Sequence, residues 1–120
     1  MMSQTDLAKG LRALAHPLRV RILGLLLSVD SPVCVCELAD ALKLPDYKVS
    51  RHLSALKAAG FIEGEHRGPW VYYRPLPSEL RSALRPFLTP EPEDLRRLKA
   101  RMRKRKGGLC VIGPKGGEIG

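Results

Sequence analysis

Residues 34 to 74 of this 120-residue chain predict a mainly α fold with a small β-hairpin, a winged helix-turn-helix. Three observations predict it. Leu38, Ala39 and Leu42 give one apolar face to a short helix, and Lys43-Leu44-Pro45 is a turn of the length that joins such a helix to a second. Val49, Leu53 and Leu56 then recur at spacings of four and three, so the second helix is amphipathic and runs from Asp46 to Ala59. Phe61 to His66 and Trp70 to Arg74 flank Arg67-Gly68-Pro69 as a pair of strands, the second rich in aromatic and β-branched residues.

The remaining elements follow in order. Leu7, Leu11 and Leu14 define the apolar face of a first helix, with Asp6, Lys9 and Arg12 solvated. Ala15-His16-Pro17 interrupts the pattern, and Pro17 suits the first turn of a second helix. Leu18, Ile22, Leu25, Leu26 and Val29 form its broad apolar face, and Asp30-Ser31-Pro32 ends it. The third helix is expected from about Cys36 to Leu42, with Glu37 and Asp40 exposed and the Glu37 carboxylate favoured in the first turn. For the fourth helix, Asp46 caps it or Pro45 begins it, and Gly60 terminates it in a left-handed conformation. After the hairpin, Ser78 is the expected N-cap of a helix carrying Leu80, Leu84, Phe87 and Leu88, kinked by Pro86 and interrupted at Pro90 and Pro92.

Size and charge bound the partners. One domain of this length holds a modest core that dimerisation would stabilise further. The longest apolar run, Ile22 to Leu27, is too short to cross a bilayer, and the first residues lack the pattern of a secretory signal, so a cytoplasmic protein with no membrane partner is expected. The net charge of +9 favours a polyanion. Eight cations between Arg96 and Lys106, with no acid among them, supply nearly all of it, which suggests a basic tail on a nearly neutral body. The expected division is therefore 1–92 as the winged-helix and dimerisation domain, 93–106 as a basic helix or arm, and 107–120 as a flexible glycine-rich tail.

Two regions carry chemistry. Tyr47, Lys48, Ser50, Arg51 and His52 present polar and cationic groups in the first turns of the fourth helix, the end that enters a major groove. Arg67 at the hairpin tip would add a phosphate or minor-groove contact, with His66 beside it. A merely solvated amphipathic face has the same pattern. The second region is Cys34-Val35-Cys36. With reduced thiols expected, metal, metalloid or redox chemistry is the natural use of cysteines two apart, which make poor disulfide partners. Two small buried apolar residues would also fit.

Ala13-Leu14-Ala15-His16-Pro17-Leu18-Arg19-Val20-Arg21-Ile22-Leu23, Val49-Ser50-Arg51-His52-Leu53 and Trp70-Val71-Tyr72-Tyr73-Arg74, in that order, resemble the ArsR/SmtB family over roughly residues 5 to 90. The resemblance implies a homodimeric winged-helix repressor of operator DNA, released when a metal or metalloid binds. It implies a dimer interface from the first helix and the helix after the hairpin, hence Leu7, Leu11, Leu14, Leu80, Leu84 and Phe87. The sequence departs from the family at the turn, where Pro45 and Asp46 replace a more common Ser-Gln pair.

Cys34-Val35-Cys36-Glu37-Leu38 is similar to the family's inducer site, in which thiolates bind As(III), Sb(III) or soft divalent metals. Residues i and i+2 lie about 200° apart on a regular helix, so binding by both is expected to unwind or shift the helix start and disturb the recognition helix it braces. A familiar third cysteine is replaced by Ala39, leaving Cys110, from the same or the partner subunit, or a small cellular thiol as the third ligand. No histidine follows the hairpin, and Glu79 is the one carboxylate there before Pro90, so the site typical of zinc sensors is not evident; His16 at a helix junction suits a structural role. As(III) or Sb(III) therefore leads, with Cd(II), Pb(II) or Zn(II) second and a thiol-redox switch as a rival. An enzyme, whether arsenate reductase or thiol oxidoreductase, is not expected: Cys-x-x-Cys, a phosphate loop and paired catalytic carboxylates are all missing.

Overall fold

The computed structural model describes residues 2–108 and residue 110. In chain order the elements are α1 (Gln4–Leu14), α2 (Pro17–Leu27), β1 (Val33–Cys34), α3 (Val35–Leu42), α4 (Asp46–Ala58), β2 (Ile62–Arg67), β3 (Trp70–Pro75), α5 (Glu79–Leu84), a 3-10 turn (Arg85–Phe87) and α6 (Pro92–Met102). Three antiparallel strands pair in the order β1-β3-β2. No helix among these residues is long and apolar enough to cross a membrane.

Helix α2 is the hub. Ile22, Leu23, Gly24, Leu25 and Leu26 are all buried, the signature of a helix covered on every side. His16 caps it, its Nδ1 accepting the Leu18 N–H at 3.2 Å, while Pro17 occupies the first turn where no N–H is needed. Helix α4 packs Val49, Leu53 and Leu56 into the same core at zero exposure. Pro45 is its N-cap and Asp46 its first residue. Lys43 closes α3 in the left-handed region (φ 56°), which bends the chain sharply into α4. Gly60 (φ 83°) and Gly68 (φ 62°) stand where the end of α4 and the two-residue hairpin turn require positive φ.

Four features differ from the sequence reading. A two-residue strand, Val33–Cys34, precedes α3 and adds a third strand to the hairpin, with Cys34 opposite Tyr72. Pro86 converts the end of α5 into a 3-10 turn rather than kinking a longer helix. Glu37, expected in solvent, is fully buried. The reason is the fourth difference: the helix expected beyond residue 93 is no basic tail on the body but lies, as α6, antiparallel on α3, with Leu98 in the common core. Arg97 Nε donates to the Ala41 carbonyl at 2.6 Å, Arg101 pairs with Asp40, and Asp94 ties α6 to Arg21 of α2. Of the expected glycine-rich tail 107–120, all but Gly107, Gly108 and Cys110 lie outside the described residues.

Candidate metal centre and nucleic-acid interface

Cys34 ends β1 and is also the N-cap of α3, with extended backbone (φ −87°, ψ 162°), whereas Cys36 lies inside the helix. The 200° separation of a regular helix therefore does not apply. The two Sγ atoms are 2.9 Å apart, and Cys36 Sγ is 3.3 Å from Cys110 Sγ. All three sulfurs lie within 4.8 Å of one another, and all three cysteines are free and buried. The expected unwinding of the helix start is not needed to bring the thiols together, because the strand-to-helix junction already does so.

Residues far along the chain hold the third thiol in place. The Cys110 N–H donates to Tyr72 Oη at 2.7 Å. Arg105 grips Glu37 through two hydrogen bonds, Nε to Oε2 at 2.7 Å and Nη2 to Oε1 at 2.5 Å, and also donates to the Pro32 carbonyl and Ser31 Oγ. Glu37 Oε1 in turn accepts the Cys34 N–H at 3.1 Å. Its carboxylate is thus occupied by hydrogen bonds, and the metal-holding group among the described residues consists of sulfur alone. A hydrogen bond with Cys36, burial and the Glu37 charge, in that order, push the Cys34 thiol well above its ordinary pKa. A groove of about 410 Å³ between α3 and the turn has Cys36 and Ala39 in its lining, with Asp40, Lys43 and Asp46 among the residues around it.

On α4 the core residues leave Tyr47, Lys48 and Arg51 exposed and Ser50 half-buried. His52 differs from these. It is half-buried against α2, its Nδ1 accepting from Arg19 Nε at 3.1 Å and its ring centroid 4.4 Å from that of His16. Burial, followed by the charges of His16, Arg19 and Arg51, lowers its pKa. Arg67 ends β2, pairs with Glu65 at 3.3 Å and lies over the Tyr72 ring at 5.2 Å.

Of the expected interface residues on α1, Leu7 and Leu11 are exposed while Leu14 is buried. Leu80 is buried against α1, Leu84 is half-buried and Phe87 is 75% exposed. Sequence reasoning missed Glu37, Arg105 and Tyr72 as parts of the thiol site. For Arg105 the local signal was indistinguishable from the surrounding cations.

A helical body carrying a three-stranded wing, with thiols buried at the head of the first helix of its helix-turn-helix, defines a winged-helix protein with a soft-ligand site. Residues 16–63 match the family model described as bacterial regulatory protein, arsR family. The chain is 44% identical over 63 residues to the arsenic resistance transcriptional regulator ArsR1 of Pseudomonas putida, covering 52% of this chain and 48% of that one. It is 52% identical over 64 residues to the HTH-type transcriptional repressor SmtB of Mycobacterium tuberculosis, covering 53% and 46%. Among solved structures it resembles a homodimeric winged helix-turn-helix DNA-binding domain from Mycobacterium bovis, described as a possible ArsR-family transcriptional regulator. That match has a TM-score of 0.62 and 28% identity over 69% of this chain and 75% of that one. The chain belongs to the ArsR family of regulatory proteins, and the proteins it resembles are transcriptional regulators, not enzymes. It spans about half the length of the curated relatives it matches.

Proposed function

We propose that this protein is a homodimeric repressor that binds operator DNA and releases it when As(III) or Sb(III) binds Cys34, Cys36 and Cys110. The observation that carries the reading is the buried cluster of three thiols within 4.8 Å, a group that among the described residues holds sulfur ligands alone. Sulfur donors select soft, thiophilic centres. Arsenous acid reacts with thiols by condensation. Each As–O bond is replaced by an As–S bond and the hydroxide leaves with the thiol proton as water, so three thiols yield three waters and no net change of charge or oxidation state.

Tyr47, Lys48, Ser50 and Arg51 contact bases and phosphates in the major groove, and Arg67 follows the backbone from the wing. His52 serves that face as a brace, fixing α4 to the start of α2 through Arg19 and His16. The dimer forms across α1 and the α5 segment, where Leu7, Leu11, Leu84 and Phe87 offer apolar surface over the buried Leu14 and Leu80.

The test is fluorescence anisotropy of the protein on a labelled upstream DNA fragment, titrated anaerobically with As(III), Sb(III), Cd(II), Pb(II) and Zn(II). Release by As(III) or Sb(III) that is lost in Cys34→Ser and Cys36→Ser supports the reading, and Cys110→Ser reports on the third ligand. Release by a divalent ion alone would replace it with a metal repressor at the same thiols. Release by peroxide without any ion would replace it with a redox switch.

A further inference from the structure

Tyr72 joins both thiol-bearing segments to the wing. Its backbone occupies the central strand, opposite Cys34 on β1 and Glu65 on β2. Its hydroxyl accepts the Cys110 N–H at 2.7 Å. Two guanidiniums lie over its ring, Arg67 of the wing at 5.2 Å and Arg105 of the C-terminal segment at 5.5 Å. The side chain is 1% exposed and shares one apolar cluster with the three cysteines, with Trp70 packed beside it.

We propose that Tyr72 is the positioning residue that couples the thiol site to the wing, so that inducer binding at the cysteines repositions Arg67. This rests on the reading of the three thiols as the inducer site. Drawing three sulfurs onto one centre moves Cys110, whose amide is three bonds from its own sulfur and hydrogen-bonded to Tyr72. The tyrosine must follow that amide or lose its partner, and a buried polar group left unpaired is destabilising. Cys34 pulls on the same residue through the β1–β3 pairing. The ring carries the displacement to Arg67, whose cation rests on its π-face. Coupling thus runs through the sheet to the wing, a route separate from the packing of α3 against α4.

The decisive variant is Tyr72→Phe, which removes the hydroxyl and keeps the ring. Three quantities are measured on wild type and variant: bound As(III) per chain from near-ultraviolet sulfur-to-arsenic absorption, the ratio of DNA dissociation constants with and without As(III), and amide exchange across residues 62–75. In the wild type, As(III) changes exchange in the wing. The variant still binds As(III), but its coupling ratio falls by about tenfold, the order expected for one lost hydrogen bond, and its wing exchange no longer responds. A variant that binds As(III) with the wild-type coupling ratio overturns the proposal. So does a wild-type wing indifferent to As(III) while DNA is released, a result that needs no variant and leaves the inducer reading intact. Failure of As(III) to bind the wild type overturns the inducer reading, and this proposal with it.

Discussion

Arg105 reaches back 68 residues to hold the fully buried Glu37 carboxylate with two hydrogen bonds, closing the C-terminal segment over the head of α3. Removing one partner of such a pair leaves a buried charge uncompensated, at a cost of about 3–5 kcal/mol. Arg105→Ala is therefore expected to lower unfolding stability by that order in a denaturant titration. It is also expected to speed As(III) dissociation, because Cys110 loses its anchor. A loss below about 0.5 kcal/mol, the level of an exposed pair, would show that the contact is not maintained in solution.

Helix α6 makes a separate prediction. Leu98 is completely buried against the body formed by α2 and α3. Leu98→Ala should cost about 2–5 kcal/mol, as deletions in a packed core do, and unfolding should remain a single transition. A basic arm free of the body would tolerate the change without measurable effect.

The difference between those two pictures marks what the sequence could and could not convey. The spacing of Val49, Leu53 and Leu56 identifies α4 because its period is local, and Gly60 and Gly68 mark their turns through a backbone requirement carried by one residue. Cys34 and Cys36 were legible as a pair for the same reason. Glu37 was not: on α3 alone it falls on the open side, and it is buried only because α6 returns to cover it. Val33–Cys34 is too short to show alternation, so the strand that turns Cys34 toward Cys36 left no pattern. Tyr72 carried the signal of an ordinary strand aromatic, and nothing local to it announces the amide of Cys110.

The pH dependence of stability should bear the mark of His52. Burial and the neighbouring His16, Arg19 and Arg51 depress its pKa in the folded state. Its contribution is therefore present above the ordinary histidine pKa of about 6.5 and is lost as pH falls from there through the folded value, because the unfolded chain then binds the proton more readily. The melting temperature of the wild type should fall between about pH 7 and pH 5 by more than that of His52→Gln, which keeps a polar side chain without this titration. Parallel pH profiles for the two proteins would show that His52 does not govern this dependence.

Arsenic X-ray absorption on the As(III)-loaded full chain will show whether the site is sulfur-only and completed by Cys110. The three clustered thiols predict three sulfur neighbours around arsenic in the wild type, with one replaced by oxygen in Cys110→Ser. A wild-type spectrum with two sulfurs and an oxygen, or a Cys110→Ser spectrum identical to the wild type, would contradict it.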